Sequence, residues 1–165
     1  EAIKLYRLVL DQITNDAMSH YFLAVNLMQE GRSDEASQYF SEALRYNPRL
    51  SEAHSYLGFL KAGQGKLDEA AKHLTQALVI DPKMIAARRN LGHVLNQQGD
   101  VDGAMMLFRQ VLELDPNDAM AHNNLGVALL QQGEVEEAIV HFSKALSIDP
   151  SYRTAQENLD RVQSK

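Results

Sequence analysis

The chain contains four prolines, Pro48, Pro82, Pro116 and Pro150, and each stands 34 positions after the last. Gly31, Gly65, Gly99 and Gly133 keep the same interval, as do Ala36, Ala70, Ala104 and Ala138. Three residue types locked to one period cannot arise from composition. The chain is therefore an array of one unit, and a period of this length belongs to stacked repeat architectures, whose units bury their apolar surface against their neighbours.

Composition narrows the function classes. With 165 residues, 45% of them hydrophobic, the chain is large enough for a sizeable core and does not read as disordered. A net charge of −6, with no run of like charge, argues against nucleic acid as a partner, because phosphate binding needs clustered Lys and Arg. The absence of cysteine removes disulfides, thiolate metal sites and thiol nucleophiles. It suits the cytoplasm and also allows the periplasm. No apolar stretch is long enough to insert into a membrane, and the first residues do not read as a signal peptide.

Residues 1–15 carry apolar side chains at helical spacing, from Ala2 and Ile3 to Leu10 and Ile13, nearly all round the helix. In the 34-residue register this segment matches the second helix of a repeat whose first half is missing. Two readings stay open: a helix once covered by upstream repeats, or a terminus that self-associates.

Four full repeats follow at 17–50, 51–84, 85–118 and 119–152. Each first helix ends at the periodic glycine, which tolerates the left-handed conformation of a tight helix end. In repeat one, Ser33-Asp34-Glu35 opens the second helix, the hydroxyl as a cap and the carboxylates at the positive helix end. The periodic proline stops that helix, since it disfavours helical geometry in the residue before it. Gly58, Gly92 and Gly126 lie inside first helices, where glycine costs about 1 kcal/mol against alanine. That cost predicts a close approach of the paired helix, with Ala36, Ala70, Ala104 and Ala138 as its small-residue face. Residues 153–165 have a narrow stripe of Ala155, Leu159 and Val162, as expected of a capping helix.

These residues carry a resemblance. Leu125-Gly126, Gly133, Ala138, Phe142, Ala145 and Pro150 of repeat four resemble the tetratricopeptide repeat, and the likeness covers essentially the whole chain. His20, His54, Arg88 and His122 replace the family's early bulky aromatic, and Ala24 replaces the glycine in repeat one. The resemblance implies an all-α fold: antiparallel helix pairs wound into a right-handed superhelical solenoid over 1–165, with first helices lining a concave groove for peptide segments of partners.

By that resemblance the groove would present Met18, Tyr21, Phe22, Val25 and Met28 from repeat one, and Glu52, Ser55, Tyr56, Phe59 and Ala62 from repeat two. Repeats three and four would add Arg89, Asn90 and His93, then Asn123 and Asn124. Asn90, Asn124 and Asn158 recur at one register. An asparagine amide both donates and accepts, so it can pair with the backbone of any extended peptide. The arrangement is similar to the asparagine ladder in the superhelix of O-linked N-acetylglucosamine transferase, at these three positions only. The competing reading is that these amides bond between neighbouring first helices. Arg89, His93 and Asn124 approximate part of the family's carboxylate clamp, but Thr154 and Asn158 stand where two basic residues belong, so a full clamp is rejected. Tyr21, Phe22, Tyr56 and Phe59 are expected to offer a pocket for an apolar side chain, unless two of them simply pack between helices.

No catalytic constellation emerges. No histidine has another three or four residues away, and His73 and His141 are expected at the surface of second helices, so neither a metal nor another cofactor is expected. Gly63-Gln64-Gly65-Lys66 lacks the spacing and the hydroxyl of a phosphate loop. The chain reads as a non-enzymatic scaffold that binds a protein or peptide. The rival readings are an accessory, substrate-recruiting domain of a larger enzyme such as a glycosyltransferase, and a self-association scaffold joined through the N-terminal helix.

Overall fold

The computed structural model describes residues 1–12 and 15–164. Among them are ten α-helices and no strand. The helices are α1 (Ala2–Gln12), α2 (Ala17–Gln29), α3 (Ser33–Tyr46), α4 (Ser51–Gly63), α5 (Leu67–Ile80), α6 (Ile85–Gln98), α7 (Val101–Leu114), α8 (Ala119–Gln131), α9 (Val135–Ile148) and α10 (Arg153–Gln163). Short loops join them, and α1 to α5 and α7 to α10 pack in succession as antiparallel neighbours. Among the described residues no helix is long and apolar enough to cross a membrane. Ile13, counted in the sequence as part of the first apolar stripe, lies outside the described residues.

Local chemistry sets the turns. Gly31, Gly65, Gly99 and Gly133 have φ of +76°, +73°, +87° and +84°, the only positive values among the described residues. The following amide reaches back to close the last turn, as Arg32 N does to Leu27 O at 2.9 Å and Glu134 N to Leu129 O at 2.9 Å. At the other end of each pair, the residue before proline is extended, with φ, ψ of −133°, 90° at Asn47 and −126°, 93° at Asp149. Its side chain accepts from the amide two residues on, from Arg49 at 3.1 Å and from Ser151 at 2.9 Å. That bond is why Asn or Asp precedes every proline: it bridges the turn that the ring forces.

Capping differs from the sequence expectation. Ser33 is already inside α3, whose N-cap is Arg32 without a side-chain cap, and Arg32 instead bonds Glu35 at 2.7 Å. The caps are aspartates on other helices. Asp16 accepts from Ser19 N at 2.9 Å, Asp100 from Gly103 N at 3.0 Å and Asp118 from Ala121 N at 2.8 Å.

The chain divides into two compact units, Glu1–Ala87 and Arg88–Lys165, called here the N-terminal and C-terminal halves. In the N-terminal half Leu23, Leu27, Phe40 and Leu57 centre a core that α1 joins through Ile3 and Leu10. Leu5 and Leu8 face outward from α1 at 61% and 57% exposure, so its apolar surface is only partly covered. In the C-terminal half Phe108, Leu125, Leu129 and Phe142 form the core, and α10 packs Leu159 and Val162 against it.

The helix glycines do mark close approach, but the partner is not the periodic alanine alone. A Cβ on Gly92 would lie 2.6 Å from the Phe108 ring, one on Gly126 2.7 Å from the Phe142 ring, and one on Gly58 2.6 Å from Leu74. The large residue one turn after the periodic alanine fills the missing side chain's space. The alanines themselves are fully buried beside it.

Candidate functional site

The first helices of the N-terminal half gather aromatic rings. Tyr21 and Phe22 lie on α2, Tyr56 and Phe59 on α4. Tyr21 meets Phe22 edge-on at 5.3 Å between centroids and Tyr56 at 6.2 Å, and Tyr56 stacks on the buried Phe40 at 5.2 Å. Tyr6 of α1 stacks on Phe22 at 5.8 Å. The four rings divide by role. Tyr21 and Tyr56 are half-buried against the core, whereas Phe22 and Phe59 remain 40% and 53% exposed. Burial pushes the Tyr21 hydroxyl up, with Tyr56 and the Glu52 carboxylate adding to it.

In the C-terminal half the predicted polar residues fall into a network. Arg89 of α6 forms an ion pair with Asp118, whose side chain is only 6% exposed and also caps α8. Asn123 is buried, and its Oδ1 accepts from Asn158 Nδ2 at 2.9 Å. Asn158 in turn accepts from Arg161 at 3.0 Å, so both ends of its amide are used within this half. Asn124 is half-buried and accepts from Asn123 at 3.4 Å. On α6, Asn90 is half-buried and His93 exposed. An open recess of about 390 Å³, lined by Arg89, Asp118, Ala119, Met120, Asp149 and Tyr152, lies beside the ion pair.

Two of the histidines do not lie where the sequence put them. His73 and His141 are half-buried, and each faces a first-helix histidine. His54 Nδ1 lies 3.0 Å from His73 Nδ1, and His122 Nδ1 lies 2.9 Å from His141 Nδ1. The outer nitrogens, His54 Nε2 and His122 Nε2, sit 3.2 Å from the carbonyls of Pro48 and Pro116. A carbonyl only accepts, so each Nε2 carries its hydrogen and the same ring's Nδ1 is an acceptor when neutral. His73 and His141 then donate their Nδ1–H inward and keep the Nε2 lone pair outward. Among the described residues no group of three or more His, Asp or Glu is placed to hold a metal ion. The signal for these pairs was present in the sequence as one spacing of 19 residues used twice.

Burial holds His54, His73 and His141 below the ordinary imidazole value of 6.5. Lys61, Lys72 and His54 reinforce this at His73 against Glu69; His122 and Arg109 do so at His141 against Glu137. A second proton on either pair would set two N–H donors against each other across about 3 Å. The folded state therefore binds fewer protons than the unfolded chain once the pH drops below about 6.5. Stability is full above that value and declines as pH falls toward the lowered folded values. Urea midpoints at pH 7.5 and 5.0 should show the decline, and His73→Gln with His141→Gln should reduce it. An unchanged slope in the double variant would exclude the pairs as its source. The carboxylates that are held low, among them Asp16, Glu35 and Glu69, titrate in a more acidic window.

Comparison with known proteins follows the same lines. Three family models match the chain: a tetratricopeptide repeat at residues 119–152, a TPR repeat at 92–133 and a further tetratricopeptide repeat at 21–85. No curated protein sequence matches. Among solved structures, YrrB, described as a TPR protein with an unusual peptide-binding site, is 25% identical with a TM-score of 0.81. The match covers 94% of this chain and 80% of YrrB. MamA is 23% identical with a TM-score of 0.82, over 90% of this chain and 86% of its own. PilF of Pseudomonas aeruginosa is 20% identical with a TM-score of 0.80, over 90% of this chain and 68% of its own. With the family models together spanning residues 21–85 and 92–152, and the all-α fold shared with these structures, the chain belongs to the tetratricopeptide repeat family.

Proposed function

We propose that the chain is a protein-interaction module whose first-helix faces hold an extended segment of a partner. The observation that carries this reading is the pair Phe22 and Phe59, large rings held 40% and 53% in solvent on a rigid helical surface. Side chains of this size, left outside the core beside two half-buried tyrosines, mark an interaction surface. In the C-terminal half, Asn90 and Asn124 would pair with the partner's backbone, while the Asn123–Asn158 bond ties α8, which carries Asn124, to α10. The peptide-binding site named for YrrB, a protein of the same fold, supports the same class of function. Helices already packed in place spend little entropy on binding. Affinity for a single short segment should be micromolar, about −8 kcal/mol. No catalytic role is part of this reading.

Affinity capture from native extract tests it, comparing the wild type with Asn90→Ala/Asn124→Ala and with Phe22→Ser/Phe59→Ser. All four side chains concerned are exposed or half-buried, so folding should survive. Partners lost from both variants would support the reading. A catch identical to wild type in both variants would sink it.

A further inference from the structure

We propose that the N-terminal half recognises a partner segment carrying an apolar side chain next to a lysine or arginine, with Glu52 as the residue that reads the positive charge. This deepens the function proposed above and rests on it. Met18, Phe22 and Phe59 leave 39%, 40% and 53% of their surface in water on α2 and α4, enough to seat an aliphatic or aromatic anchor. Glu52, exposed in the first turn of α4, is the acidic group of this face, and its field reaches Tyr21 within the aromatic cluster. Its carboxylate accepts from Ser51 Oγ at 3.0 Å, and no cationic side chain pairs with it among the described residues.

Several basic residues of this half pair with other carboxylates. Arg7 and Arg32 both reach Glu35, at 3.3 and 2.7 Å, and Lys61 reaches Glu69 at 2.9 Å. The face therefore presents apolar surface and one uncompensated negative charge, on a chain whose net charge is already −6. A basic residue beside an apolar anchor complements both features, and an acidic residue opposes the second. The contribution is one of selectivity: an exposed ion pair adds little affinity, but reversing one charge changes attraction into repulsion.

The test uses the full 165-residue chain and random dodecapeptides displayed on phage. Selected peptides are then resynthesised and measured by fluorescence anisotropy. The wild type should enrich peptides with an apolar residue within a few positions of Lys or Arg. Glu52→Lys should weaken those peptides about tenfold and shift selection toward Asp and Glu while keeping the apolar anchor. Phe22→Ser/Phe59→Ser should lose both sets.

Enrichment of apolar peptides with no charge preference, or with one that Glu52→Lys leaves unchanged, would overturn the Glu52 assignment and leave the interaction face intact. Enriched peptides indifferent to Phe22 and Phe59 would overturn the face itself, and with it the reading on which this proposal rests. Light scattering of the same samples covers a third outcome. A dimer of the wild type that Phe22→Ser/Phe59→Ser dissolves would assign the face to a second copy of the chain, and would overturn the peptide proposal.

Discussion

Replacing Phe142 by alanine is expected to cost about 3–5 kcal/mol, among the largest effects available to a single substitution in this fold. The ring is fully buried on α9 and lies against Gly126 of α8, where a Cβ would come within 2.7 Å of it. A glycine has no side chain to turn into the vacated space, and the neighbouring Ala138 is itself fully buried and too short to reach it. The cavity therefore persists, and the cost falls at the upper end of the range for ring deletions. Phe142→Leu should cost much less, about 1.5 kcal/mol or below, because Leu74 fills the same register against Gly58. Urea unfolding of both variants checks the pair. A loss below about 1.5 kcal/mol for Phe142→Ala would mean that α8 and α9 close over the gap, contrary to the packing described.

Asp118→Ala is the second large expected effect, about 2–4 kcal/mol. It removes the cap on α8, worth about 1 kcal/mol, since Asp118 accepts from Ala121 N at 2.8 Å. It also leaves the Arg89 guanidinium, 19% exposed, without its counter-charge. Hydrogen bonds to charged groups contribute about 1.5–3 kcal/mol, and loss of one partner leaves the other desolvated. Asp118→Asn keeps an oxygen for the cap and should fall between wild type and alanine. Arg89→Met in the alanine background should recover part of the loss, because the stranded charge is then gone. Equal stabilities of wild type and Asp118→Ala at pH 7 would exclude this account. The ion pair also bears on binding: Arg89 is held by Asp118 and does not stand free for an acidic ligand.

Most of the fold was legible in the residues because its signals are local. A glycine at positive φ and an Asn or Asp bridging to the amide after proline each act within a few positions of themselves. Repetition at 34 residues made each signal readable four times over. Ser33 was the local misreading: serine and arginine both stand at the start of α3, and the N-cap position falls on Arg32.

The candidate site was legible as a set of positions and not as a set of roles. Asn123 and Asn124 are adjacent in sequence, yet one turn of about 100° buries the first against Asn158 and leaves the second half-exposed. Phe22 and Tyr21 divide in the same way, one toward solvent and one toward Phe40. The histidine pairs join residues 19 apart on two helices, and each helix alone gives no reason to expect its partner. By itself, then, the sequence determined the repeat, its turns, its helices and the family, all of which follow from short-range backbone preference and periodic burial. Tertiary structure decided which polar groups are spent on one another and which remain for a partner. That choice depends on the rotation of each helix about its axis, and side chains on the facing helix set that rotation.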